Sequence, residues 1–166
     1  MPQENVQVDV FPLLRLPLVA KEHVLCMMTP FELNNFRLEI PEGLDRLEVN
    51  RSKFINYEHL LRVKARNIVL KGSILTNQEI NRFLKSWMAC ESHLDLESFK
   101  INASGFNPMK EIIMDVPHEV AIGLDAISEK FPSYITLTSG YNIKRSDGKE
   151  ATVCLSQWYD MFLLIH

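Results

Sequence analysis

Residues 66–88 read RNIVLKGSILTNQEINRFLKSWM, and the hydrophobic period changes once within them. Ile68 and Leu70 alternate with their neighbours as the inward positions of a strand do, whereas Ile80, Phe83, Leu84, Trp87 and Met88 recur at the spacing of one helix face. Between the two patterns, Thr76 and Glu79 have the T-x-x-E form in which a hydroxyl and a carboxylate satisfy each other's orphan backbone amides. The segment therefore predicts a strand, a turn and a helix that starts after Thr76. Asn81, Arg82, Lys85 and Ser86 fall mostly on the other face of that helix. The apolar face has to pack on something, and the neighbouring strands are nearest.

The same unit recurs on both sides. Leu47 and Val49 alternate in DRLEVNR ahead of Asn56 and YEHLLRV, and Phe99 and Ile101 alternate in ESFKINA ahead of Asn107 and Pro108, a proline suited to the first helical position. Strand, turn and helix repeated at about 20 to 30 residues is the pattern of leucine-rich-repeat-like stacking, in which no unit buries its face alone. The regular L-x-x-L-x-L spacing is missing, and an ordinary mixed α/β sheet is the alternative. Further on, Tyr141, Ile143 and Arg145 alternate up to Asp147-Gly148, and Ala151, Val153 and Leu155 alternate away from it. That arrangement predicts an antiparallel hairpin on a type I′ turn. Met161–Ile165 reads as a further, more buried strand, and an antiparallel end of this kind would cover the edge of a stacked sheet. The expected fold is α/β: short N-terminal helices, a degenerate leucine-rich-repeat-like strand and helix array, and a closing C-terminal antiparallel hairpin.

At 166 residues the chain can bury a real core, and 46% hydrophobic with 23% charged residues is the balance of a globular protein. The net charge of -3 gives no electrostatic reason to expect nucleic acid or an anionic membrane. The opening MPQENVQVDV has no cation ahead of the apolar part, and Arg15, Lys21 and Glu22 interrupt the run that follows. Neither a secretory leader nor a spanning helix of about 20 uncharged residues fits, so an intracellular, soluble protein is expected. Cys26, Cys90 and Cys154 are odd in number and form no C-x-x-C pair, which fits a reducing compartment and three small buried hydrophobes.

The residue patterns offer little for catalysis. His23, His59, His93, His118 and His166 form no H-x3-H or HExxH arrangement, so no metal is expected. Neither GxGxxG nor GxxxxGK[ST] occurs, so no phosphate cradle or nucleotide cofactor is expected, and no GxSxG elbow is present. Cys154 lies on an alternating strand with no histidine tied to it, and Asp147 is explained by its turn. The expected protein has no catalytic residue, cofactor or metal.

The N-terminal stretch 11–36, FPLLRLPLVAKEHVLCMMTPFELNNF, is the most apolar. Leu16-Pro17 starts a helix with proline in its first turn, Val24, Leu25 and Met28 give that helix an apolar face, and Thr29-Pro30 starts a second short helix. Two greasy short helices make a docking element or a piece of core. Composition alone favours core.

The wording of these segments carries more. PLLRLP at 12–17, Val24-Leu25 and TPFEL at 29–33 resemble the beginning of an F-box, LTNQEINRFLKSW at 75–87 is similar to the type 2 F-box-associated domain of nematode F-box proteins, and YNIKRSDGKEATV at 141–153 is similar to that domain's C-terminal end. The resemblance implies a partial F-box-like segment at 1–37 and an F-box-associated α/β domain at 38–166. It implies a non-catalytic substrate receptor of an SCF-type, cullin-RING ubiquitin ligase, partnered by the SCF adaptor subunit and by a target protein. Adaptor contacts would fall on Pro12, Leu14, Leu16, Pro17, Val24, Leu25, Met28, Phe31 and Leu33. A full F-box continues into a third helix, whereas here RLEIPEGLDRLEV follows Phe36 directly. A different class of function is a stand-alone protein-binding module whose N-terminal helices only cap its own core.

Overall fold

The computed structural model of the chain describes residues 44–124, 127 and 135–166. The two expected N-terminal helices and all nine expected adaptor contacts lie outside the described residues. Among the described residues seven strands form one sheet: β1 (Leu44–Val49), β2 (Ala65–Leu70), β3 (Ser98–Asn102), β4 (Glu119–Val120), β5 (Leu137–Lys144), β6 (Glu150–Ser156) and β7 (Asp160–Ile165). Their spatial order is β1-β2-β3-β7-β6-β5-β4. The first three run parallel, and every pair from β3 onward is antiparallel. Helices α1 (Tyr57–Arg62), α2 (Asn77–Met88) and α3 (Pro108–Ile112) each follow one of the parallel strands.

All three expected strand and helix units form, but they build one half of a mixed sheet. The hairpin β5–β6 does not cover the open edge of β3. That place is taken by β7, with Ile101 opposite Met161 and Phe99 opposite Leu163. Met161, Phe162 and Leu163 are successive residues and all are buried, which is the pattern of a central strand covered on both faces.

Register places the core side chains on one face. Leu47 lies opposite Ile68, Ile68 opposite Phe99, Phe99 opposite Leu163 and Leu163 opposite Val153. This row and its neighbours pack with Ile80, Phe83, Leu84 and Trp87 of α2 and Ile112 of α3 in a single core cluster. Trp87, Phe83 and Phe99 are fully buried, and each contributes about 1.5–3 kcal/mol by leaving water. Phe83 meets Phe99 with ring centroids 4.7 Å apart, so α2 is anchored directly on β3.

The capping box forms as the sequence predicts: Thr76 Oγ1 accepts from the Glu79 N–H, and the Glu79 carboxylate accepts from the Thr76 N–H at 2.8 Å. Asn56 caps α1 through the His59 amide. Asn107 makes no side-chain cap, so the start of α3 rests on Pro108. Asn81, expected on the solvent side of α2, is buried. Its Nδ2 donates to the carbonyls of Ile112 and Met114 at 2.8 and 2.7 Å, tying α2 to the end of α3.

The hairpin turn also differs from expectation. Gly148 has φ +94° while Asp147 stays out of the left-handed region, so a type I′ pair is not formed. The Gly148 N–H donates to the Arg145 carbonyl and the Arg145 N–H to the Lys149 carbonyl, which makes a three-residue loop closed by a glycine. Arg145 continues the inward alternation and is buried with its guanidinium over the Trp87 ring. Asp147 grips it at 3.0 and 2.7 Å, and the Leu94 carbonyl accepts from it at 3.0 Å. The aspartate therefore serves the buried cation as well as the turn.

Candidate functional site

The three parallel strands end on the same side of the sheet, and the antiparallel β7 begins there. Four connections meet at that end: 50–56, 71–76, 103–107 and 157–159. In open sheets this is where loops carry ligand contacts, because the scaffold fixes their roots while their tips are free to vary.

Side-chain amides hold the roots. Asn102 at the end of β3 accepts from the Ser73 N–H at 2.8 Å and donates to the Ser73 carbonyl, joining the second connection to the third strand. Asn77 at the start of α2 does the same for the third connection. Its Nδ2 donates to the Ser104 carbonyl at 2.6 Å and to Glu111 at 2.9 Å, and its Oδ1 accepts from the Ser104 N–H. The Ala103 N–H donates to the Tyr159 carbonyl at 2.7 Å, which brings in the fourth. Ser52 completes the set by bonding the Lys71 carbonyl through both its N–H and its hydroxyl.

On these fixed roots stand large apolar side chains open to water. Phe106 is 100% exposed, Trp158 68%, Ile74 61% and Tyr159 49%. Single exposed apolar residues are ordinary, but four on adjoining loops of one sheet end form a patch that suits a partner surface. Below the patch, on the outer face of the sheet, Glu48 accepts from Lys71 at 2.6 Å and from Arg46 at 2.9 Å. Those hydrogen bonds, the one from Lys71 first, hold its carboxyl below the usual range. Lys100 lies between Asp160 at 2.8 Å and the Phe162 ring.

The residues weighed for chemistry are placed elsewhere. Cys154 is fully buried on β6, and burial pushes its thiol up to about 12, which keeps it protonated and inert. The His93 ring packs edge-on to Phe83, and burial pushes it down to about 4. The Leu60 carbonyl opposes this only weakly, since neither ring nitrogen has a partner at hydrogen-bonding geometry. Among the described residues no group of His, Cys, Asp or Glu is placed to hold a metal. No described helix is long and apolar enough to cross a membrane.

A cleft of about 630 Å³ lies at the opposite end of β5 and β6 and is lined in part by His118, Lys144, Glu150, Thr152 and His166. Its polar groups engage one another: Lys144 pairs with Glu150 at 3.2 Å, and Thr152 bonds both Asn142 and His166 at 2.8 Å. His118 bonds the Val116 carbonyl and stands edge-on to Tyr141.

Three strands, three following helices and amide-stitched loops presenting apolar side chains make a binding scaffold. Residues 35–101 match the F-box associated family. The match begins before β1 and ends within β3, so it takes in the parallel half of the sheet. The F-box-associated family is one of protein-interaction domains. No match is found among curated proteins or among solved structures. Within the matched residues 35–101, Ile74 belongs to the apolar patch; Phe106, Trp158 and Tyr159 follow after them. Sequence reading missed all four, because an isolated aromatic beside a turn carries no period. The dipeptide Trp158-Tyr159 between two strands was the available signal.

Proposed function

We propose that the chain is a non-catalytic substrate receptor of an SCF-type ubiquitin ligase, working inside the cell. The observation that supports this is the F-box associated match at 35–101 directly after the F-box-like wording PLLRLP, Val24-Leu25 and TPFEL. In this reading Pro12, Leu14, Leu16, Pro17, Val24, Leu25, Met28, Phe31 and Leu33 dock on the adaptor subunit, and the sheet domain holds a target protein through its loop end. Ubiquitin transfer belongs to the other subunits, so the receptor needs only two binding surfaces.

The F-box-like wording stops at Phe36. Two apolar anchors missing with a third helix, at about 1.5–3 kcal/mol each, weaken adaptor binding by on the order of 100-fold or more relative to a full F-box. Co-purification of the full chain with the adaptor at micromolar concentration tests the reading. A complex lost on Leu16→Glu or Val24→Glu, with the melting temperature of the free protein unchanged, is the expected result. No complex, or one indifferent to both substitutions, refutes it. A sharp fall in melting temperature instead assigns the N-terminal helices to the core of a stand-alone binding module.

A further inference from the structure

The two edges of the sheet are guarded differently. β4 ends one side with two residues, whereas β1 ends the other with six. Shortness, proline, bulges and charge are the devices that keep an edge strand from pairing with another chain. β1 has no proline and keeps one register with β2 from Leu44 to Val49, so charge is the device it has. Among the described residues no strand lies on its other side.

The charges stand in a particular relation to the backbone. The Lys71 N–H donates to the Val49 carbonyl at 2.8 Å, and the Asn67 side chain donates to the Asp45 carbonyl. Main-chain groups alternate in direction along a strand, so those of Arg46 and Glu48 face the open side. The side chains of these two residues lie on the outer face, away from Leu47 and Val49, which are in the core. Arg46 reaches Glu48 of its own strand at 2.9 Å, and Lys71 holds Glu48 from the other side at 2.6 Å. An exposed pair such as Arg46 with Glu48 is worth little and is readily exchanged.

Three two-fold pairings bring the open main-chain groups of two copies together. An axis at Arg46 sets two guanidinium groups face to face, and an axis at Glu48 sets two carboxylates face to face. An axis at Leu47 sets each Arg46 opposite Glu48 of the other copy, and Asp45 then lies opposite Val49 and meets no like charge.

We infer that β1 is the seam of a homodimer, with a second copy of this chain pairing antiparallel about a two-fold axis at Leu47. Each Arg46 exchanges its neighbour Glu48 for the same residue of the copy, Lys71 keeps its place, and the two Leu47 side chains meet on the helix-covered face. Main-chain hydrogen bonds supply the attraction, and the charges fix register and exclude unlike partners. Because the paired strands run in opposite directions, the two loop ends face apart and present two separate sites. The inference goes beyond the receptor reading and does not draw on it.

The test is sedimentation velocity of the full chain at concentrations from micromolar upwards, where a dimer that dissociates on dilution is expected. Arg46→Glu places carboxylates on both sides of the seam, and Glu48→Arg places guanidinium groups there. Each should weaken self-association by on the order of tenfold or more, because facing like charges are costly. Mixed in equal amounts, the two variants should dimerise with each other, and the chain carrying both substitutions should dimerise with itself but not with wild type. Recovery on mixing also shows that each variant is folded; where one of them fails to melt cooperatively, the doubly substituted chain decides. A wild-type monomer at all concentrations overturns the inference. So does a dimer indifferent to both substitutions, or one that neither mixing nor the double substitution restores.

Discussion

Asn81 offers the sharpest test of how the parallel half is held together. Its Nδ2 lies 2.8 Å from the Ile112 carbonyl and 2.7 Å from the Met114 carbonyl, and the residue is 6% exposed. The Ile112 carbonyl closes a five-residue helix, so it is among the acceptors that a helix end cannot satisfy internally. Asn81→Ala removes both donors and leaves two carbonyls without them. At about 1–3 kcal/mol per stranded group, the loss is about 2–6 kcal/mol. With a urea dependence of about 2 kcal/mol per molar for a domain this size, the midpoint falls by about 1–3 M at unchanged slope. Asn81→Asp keeps the volume and reverses the polarity, placing carboxylate oxygen against two carbonyl oxygens. Near neutral pH it should cost at least as much as alanine. Its folded-state pKa is then raised above the unfolded value, so the acid binds a proton more readily when folded. Its deficit relative to wild type at the same pH therefore shrinks as pH falls, because the protonated acid regains one donor. The assay is urea unfolding followed by fluorescence in a Trp158→Phe background, where buried Trp87 is the sole indole. An alanine variant within about 0.5 kcal/mol of wild type, the range of an ordinary surface change, refutes the reasoning.

Burial of His93 sets a pH limit on stability. Its pKa drops from 6.5 to about 4 on folding, so the unfolded chain binds the extra proton between those values. Stability is complete above pH 6.5 and declines as pH falls to about 4, by about 3 kcal/mol; His93→Asn, which tolerates the φ of +53° at that position, should flatten urea midpoints across that window. Gly140 carries no room for a methyl group, since a Cβ there would stand 2.5 Å from Leu124 Cδ2. Gly140→Ala should destabilise by about 1–2 kcal/mol, and Leu124→Ala added to it should recover part of the loss in a double-mutant cycle. Gly148→Ala measures what a side chain costs at the closing position of a hairpin, and a thermal melt should report a loss of about 1–2 kcal/mol.

Much of the parallel half was legible because alternation and capping are local. Leu47 with Val49, Ile68 with Leu70 and Phe99 with Ile101 declare their strands within a few residues, and Thr76 with Glu79 declares where α2 begins. Sheet order was not legible, since nothing near Met161–Ile165 says that this strand enters beside β3 and separates it from β6. Asn81 was misplaced for a related reason: amphipathic counting assigns an amide to water, whereas this one finds its partners, the Ile112 and Met114 carbonyls, about thirty residues away. The type I′ reading failed on Asp147, whose carboxylate is engaged by Arg145 while the glycine alone takes the unusual angle. Of the candidate site, the amide-held loop roots could not be seen before folding, and Tyr159 is conspicuous only once its backbone angle, φ +60°, is known.

The insertion of β7 beside β3 also bears on how the chain is made. Phe99 and Ile101 are fully buried, and their strand is closed on one side by residues 160–164. During synthesis at about 5–20 residues per second, β3 emerges several seconds before the strand that closes it, about 60 residues later. Throughout that interval the nascent chain presents an open, apolar strand edge, the geometry most prone to pairing with a neighbour. Ribosomes crowded on one message would hold several such edges close together. Yield of soluble protein should therefore respond to translation speed through residues 103–159, even where the finished fold is unaltered.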